Sequence, residues 1–140
     1  MQYSTLKKRQ LAEIREIPVF YAFDEYQFNN GLKQWGAKID EVIMTEDIDT
    51  FIWKKDKQKR EDLLARHTRE RQQLIDADKT GMGFIQDMFL TELLAYQYEK
   101  YLNLTPALKY LEITADEISN NVALNTGLQS AIKKCFQKQF

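Results

Sequence analysis

Ile17-Pro-Val-Phe-Tyr-Ala-Phe23 runs directly into Asp24-Glu-Tyr-Gln-Phe-Asn-Asn-Gly-Leu-Lys-Gln-Trp-Gly36, and the two halves follow different periods. The first half is β-branched and aromatic and bounded by turn residues, which predicts a buried strand over about 18–23. Pro18 puts the start of that strand, or a sheet edge, at this point, because proline donates nothing to a ladder. Asp24 followed three residues later by Gln27 has the form of a capping box, with Phe23 and Phe28 as its hydrophobic staple. Phe28, Leu32 and Trp35 then recur at helical spacing, and Gly36 stands where a left-handed glycine ends a helix. Downstream, 38–44 and 50–54 read as two more strands, joined by the acidic turn Thr45-Glu-Asp-Ile-Asp49. The result is a β-α-β-β unit over 17–55, with a right-handed crossover if its first two strands run parallel.

Working outward, residues 4–16 predict a short helix, with Leu6, Leu11 and Ile14 apolar and Lys7, Lys8, Arg9, Glu13 and Arg15 outward. A long charged helix is predicted from Asp56 to about Asp78, with Leu63, Leu64, Leu74 and Ile75 on one face, and Gly81 and Gly83 break it. A second, apolar almost all round, is predicted from about Phe84 to Leu102. Thr105 with Pro106 reads as an N-cap followed by proline at the first helical position. Thr114 and Glu117 form another capping box, stapled by Ile113 and Ile118. Lys133, Lys134 and Lys138 then sit near the last helix C-terminus, where the macrodipole favours cations. The expected fold is α+β: a small three-stranded sheet packed against helices, with an all-helical C-terminal half. It is expected as one domain over 1–140, made of an N-terminal extension (1–16), the β-α-β-β unit (17–55) and a helical part (56–140).

A chain of 140 residues with 44% hydrophobic and 29% charged residues suits one packed core under a solvated surface. The net charge of −1 hides an alternation: 16–53 carries eight carboxylates against two lysines, whereas 54–79 carries nine cations against six carboxylates. Such a balance argues against both an acidic nucleic-acid mimic and a uniformly basic binder. Cys135 is the only cysteine, which excludes an intrachain disulfide and a Cys-type zinc site. No apolar run approaches the roughly 20 residues of a membrane span. The first residues lack the pattern of a signal peptide, so the expected location is the cytoplasm of a host cell.

Four stretches carry a resemblance: Phe20-Tyr-Ala-Phe23, Asp24-x-x-Gln27-Phe28-x-x-Gly31, Glu92-Leu93-x-x-Tyr96-Gln97-Tyr98, and Ala107-Leu108-x-x-Leu111-Glu112-Ile113-Thr114-Ala115-Asp116-Glu117. Over about Pro18 to Lys133 the chain resembles a family of small uncharacterised proteins of bacteriophages and mobile elements, whose pattern starts F-A-F-S-x-x-Q-F-x-x-G. Here Glu46-Asp-Ile-Asp49 stands where that family has a Gly-rich turn, and Ala95-Tyr-Gln-Tyr98 where it has Asn-His-Glu-Tyr. The resemblance implies no assigned activity.

No P-loop, G-x-G-x-x-G, G-x-S-x-G, H-E-x-x-H or Cys/His metal spacing occurs. His67, the only histidine, lies four residues after Leu63 on the apolar face of its helix. Glu70 is the carboxylate at helical spacing from it, and the expected role is a hydrogen-bonded histidine at the core margin. Cys135 among lysines is expected to be a plain surface or half-buried thiol. Glu46, Asp47 and Asp49 lack the central glycine and twelfth-position glutamate of an EF-hand, and are expected to form a solvated acidic turn. No catalytic residue, metal or cofactor is assigned.

Two classes of binding remain. The favoured one is a non-enzymatic phage or mobile-element protein that binds and modulates a host protein, as an anti-defence (anti-CRISPR-like) inhibitor does. The helix 84–102 has more apolar positions than one stripe requires. Ile85, Phe89, Leu93 and Tyr96 are expected to face the sheet, and Met88, Tyr98 and Tyr101 to serve self-association, as a homodimer, or docking to the host protein. The alternative is a nucleic-acid-binding accessory protein using the basic helix 54–71, with Trp53 stacking on a base and Lys57, Lys59, Arg60, Arg66 and Arg69 meeting phosphates. Against it, Asp56/Arg60, Lys57/Glu61 and Arg66/Glu70 lie at i,i+4, as in a solvated helix. No membrane partner is expected.

Overall fold

Asp24 and Gly36 bracket their helix as the sequence requires. The Asp24 carboxylate accepts from the Gln27 N–H, and Gly36 adopts φ 61° with its N–H turned back to Leu32 and Lys33. Around this helix the computed structural model, which describes residues 1–137, divides into two compact units, 10–68 and 1–9 with 69–137. The elements are α1 (Tyr3–Arg15), β1 (Phe20–Tyr21), α2 (Glu25–Trp35), β2 (Val42–Met44), β3 (Thr50–Trp53), α3 (Lys57–Ala77), α4 (Phe84–Ala95), α5 (Tyr98–Tyr101), α6 (Thr105–Leu111), α7 (Ala115–Ser119) and α8 (Val122–Gln137). α1 and α3 each contribute residues to both units, so the division does not fall at the 16/17 and 55/56 boundaries that composition suggests. Lys138 lies outside the described residues.

The sheet unit, 10–68, has strand order β1-β3-β2, with β3 antiparallel to both neighbours. β1 and β2 therefore run parallel with β3 between them, and α2 connects them. Phe20 pairs with Phe51, and Val42 with Trp53, so these four side chains share one face. On that face Phe20 stacks on Phe51 (centroids 5.3 Å apart) and meets Trp35 edge-on at 4.8 Å. Phe28 packs on both phenylalanines, and Trp35 stacks on Trp53 at 5.0 Å. Gly31 lets α2 come this close, because a Cβ there would overlap the Phe20 ring. The expected staple differs: Phe28 packs on Phe20 and Phe51, while Phe23 turns outward. The strands are also shorter than predicted, since 39–41 is a 3-10 turn and pairing in β1 is limited to Phe20 and Tyr21.

The helical unit gathers Leu6, Ile75, Ile85, Met88, Phe89, Leu93, Leu111, Leu128 and Ala131 into one core, with α4 packed along α8. Of the row expected to face the sheet, Ile85, Phe89 and Leu93 are buried here among helices, and Tyr96 is exposed beside Tyr110. The predicted helix 84–102 is two. Gln97 adopts φ 55°, and this left-handed residue separates α4 from α5. At α6, Asn103 rather than Thr105 supplies the side chain, accepting from the Thr105 N–H at 3.1 Å. The Thr114/Glu117 capping box forms as read, and Ile113 and Ile118 are both buried.

Candidate protein-binding site

The aromatic face of the sheet unit uses rings of which none is fully buried, and next to Phe20 along the chain come aromatic side chains exposed to solvent. Tyr21, Phe23 and Tyr26 are 64%, 74% and 79% exposed, consecutive along the end of β1 and the first turn of α2. Beside them a groove of about 360 Å³ is lined by Phe20, Tyr21 and Phe23 on one side and Gln27, Asn30, Gly31 and Gln34 on the other. The backbone here is held locally, with the Phe23 N–H donating to the Gln27 Oε1 at 2.6 Å. From Glu16 to Leu32 the chain carries three carboxylates and no lysine or arginine. At the groove, exposed aromatic residues thus meet the polar side chains of Gln27, Asn30 and Gln34. An aromatic-rich apolar centre inside a polar rim is the composition of a protein interface. The sequence reading of this stretch as core and cap missed the site. The signal for it was the two aromatics, Phe23 and Tyr26, that flank the cap at Asp24 in excess of what the cap uses.

The residues predicted to meet nucleic acid are largely engaged within the fold. Arg60 is 6% exposed, and its guanidinium donates to Glu46 at 2.7 Å and to Asp47 at 3.3 Å. Glu46 and Asp47 thus hold an arginine rather than forming a wholly solvated turn. Partial burial pushes the Glu46 carboxyl up, but the hydrogen bond from Arg60, a backbone hydrogen bond and the Arg60 charge together hold it below the ordinary range. Asp49 adopts φ 65° in the same turn. Arg66 pairs with Glu13, Lys57 lies 4.0 Å from Glu61, and Trp53 is half-buried on Trp35 under the Lys55 ammonium. Of the expected i,i+4 pairs, Lys57/Glu61 is formed, while Arg60 takes its carboxylates from the β2–β3 turn. Lys59 and Arg69 are exposed.

His67 is buried, as expected of a core-margin histidine, but the carboxylate facing it in the sheet unit is Glu13, with Nε2 3.3 Å from Oε1. Glu70 belongs to the helical unit and there pairs with Arg9 at 2.7 Å. Glu13 lies 54 residues from His67, a separation that no helical spacing could reveal. Cys135 is buried in the helical core, packed with α4 rather than lying among solvated lysines.

Of the three docking residues predicted on the apolar helix, Met88 must be withdrawn. It has no exposed surface, because α8 covers the face of α4 that carries it. Tyr98 is half-buried against Phe136, and Tyr101 is exposed. The surplus apolar positions of this helix are spent on contacts on several sides at once.

The helical unit holds one buried polar cluster that sequence reading did not find. Glu92, 1% exposed, accepts from the Tyr3 hydroxyl and from the Lys7 ammonium at 2.8 and 3.0 Å, and that ammonium lies 4.7 Å from the centre of the Tyr110 ring. Burial and the bond to Glu92 push the Tyr3 hydroxyl well above its ordinary range, so it is a committed donor. Every acceptor oxygen of Glu92 is occupied, and the arrangement joins α1 to α4 instead of presenting a reactive group.

Fold and site together define a small α+β protein with an exposed aromatic group at the end of β1 and the start of α2. No helix among the described residues is long and apolar enough to cross a membrane. The chain belongs to a family of unknown function, DUF7659, whose model matches residues 2–134. No curated protein and no solved structure matches it.

Proposed function

We propose that this is a non-enzymatic binding protein of a bacteriophage or mobile element, which attaches to a host protein and modulates it in the manner of an anti-defence inhibitor. The mobile-element origin rests on the motif resemblance from Phe20 to Gly31. The observation that carries the binding role is the exposed aromatic group Tyr21, Phe23 and Tyr26 in a segment free of cations. Three large rings held in water by a capped helix and a paired strand have no use in the folding of their own unit, and a partner would desolvate them. The test is capture from host lysate by the wild type and by the variant combining Tyr21→Ser, Phe23→Ser and Tyr26→Ser, followed by titration of the captured, purified partner. The expected result is binding by the wild type and at least a hundredfold weaker binding by the variant, with unchanged circular dichroism. Equal binding by the two proteins rules the surface out.

The nucleic-acid reading keeps one observation in its favour, the exposed run Lys54, Lys55, Lys57 and Lys59. With Arg60 and Arg66 tied to carboxylates, the phosphates it could neutralise are few. Retention of single- or double-stranded DNA in a low-salt shift assay, lost steeply as salt rises, would favour it.

A further inference from the structure

β1 is the outer strand on one side of a sheet ordered β1-β3-β2, so one of its edges has no strand beside it. The register determines which groups lie there. Phe20 pairs with Phe51 and Tyr21 with Thr50, and the Ala22 N–H donates to the Asp49 carbonyl at 3.0 Å. In an antiparallel ladder the bonded groups recur at every second residue. Phe20 and Ala22 therefore turn their N–H and C=O toward β3, and Tyr21 turns its own the other way. Phe23 shares that outward parity, and its N–H is met by the side-chain oxygen of Gln27. An amide oxygen from α2 already stands where the carbonyl of an added strand would.

The same edge forms one wall of the groove, and α2 forms the other with Gln27, Asn30 and Gln34 at i, i+3 and i+7. Each side-chain amide carries a donor and an acceptor, as a peptide bond does, and can bond an extended main chain. Gly31 keeps the floor between these amides and Phe20 free of a side chain. Tyr21 and Phe23 offer exposed rings for alternate side chains of such a segment. The stretch 15–33 carries Glu16, Asp24 and Glu25 against Arg15 and Lys33, an excess of one negative charge that sets the sign of the charge it should carry.

We infer that the β1 edge and the α2 groove bind an extended, Lys- or Arg-bearing segment of a partner protein by strand addition. Its hydrogen bonds run to the Tyr21 main chain and to the amides of Asn30 and Gln34. This rests on the protein-binding reading above and specifies the form and charge of what is bound.

The experiment is a titration of isotope-labelled protein with three synthetic hexapeptides: alternating Lys-Val, its fully N-methylated counterpart, and alternating Glu-Val. The first should shift the Tyr21 backbone amide and the Asn30 and Gln34 side-chain amides. N-methylation, which removes the strand's donors, and reversal of charge should each weaken binding at least tenfold. Asn30→Ala with Gln34→Ala should weaken the Lys-Val peptide severalfold while leaving the circular dichroism unchanged. Absence of binding, equal binding of the N-methylated peptide, or shifts remote from Tyr21 each overturn strand addition. Should that happen while the aromatic variant still loses the host partner, the protein-binding reading stands with a different mode of docking. If the aromatic variant keeps the partner, that reading fails as well.

Discussion

Asp78 shows how much one side chain can organise. Its Oδ1 accepts from the Gly81 N–H at 3.0 Å and the Thr80 hydroxyl at 3.3 Å. Its Oδ2 accepts from the Gly83 and Ile85 N–H groups at 3.1 and 3.0 Å. These amides lead into α4, and Gly81, at φ 81° against the Ala123 carbonyl, has no room for a Cβ. Burial opposes ionisation, but the three backbone N–H bonds outweigh it and hold the carboxyl below the ordinary range. Asp78→Ala strands those amides and should cost about 1–3 kcal/mol in urea melts at pH 7. A depressed folded pKa contributes stability above the ordinary aspartate value and loses it as pH falls through the folded one. The gap between wild type and variant should therefore close in melts below about pH 4. At Glu92 the loss is of a charged partner. Lys7→Met leaves a buried carboxylate with only the Tyr3 hydroxyl, at a cost of about 3 kcal/mol at pH 7. Neither cluster was visible in the sequence: Asp78 reads as the last residue of the charged helix, and Lys7 and Glu92 are 85 positions apart.

Local signals survive folding best when they are complete within one turn. The Asp24 cap, the Gly36 terminus and the Thr114/Glu117 box were all readable because each is a bond between residues three or four apart. The break at Gln97 was not readable, since neither glycine nor proline marks it, and the apolar positions continue through it. Glu112 is another left-handed residue without the usual glycine, at φ 57° with its N–H bonded to Leu108 and Lys109. Glu112→Gly should stabilise α6 by about 0.5–1 kcal/mol, because a left-handed L-residue costs roughly 1–2 kcal/mol and the looser unfolded chain offsets part of the gain. A rise in melting temperature checks it. Gly31→Val should act oppositely in the sheet unit, forcing α2 off the Phe20 ring at a cost of about 1–3 kcal/mol.

Across the molecule, fold class was recoverable from periodicity, whereas the division into units was not, because residues 1–9 join 69–137 rather than the β-α-β-β stretch that follows them. Ion pairs such as Glu13–Arg66 link segments that no spacing rule connects. Glu13, Glu46 and Asp78 all have carboxyls held below their ordinary values, so their contributions act in the same direction. Stability should be flat above about pH 5 and fall as the solution is acidified through the carboxylate range, measurable as a declining urea midpoint. Both tryptophans, Trp35 and Trp53, lie stacked in the sheet unit, and the only thiol, Cys135, is sealed in the core of the helical one. The chain thus comes with a separate spectroscopic probe for one unit and a chemical probe for the other. Indole emission follows the opening of residues 10–68, while the rate at which a thiol reagent modifies Cys135 clocks the opening of the rest. Whether the two units melt as one cooperative body or in succession can be timed in a single unlabelled, unmutated sample.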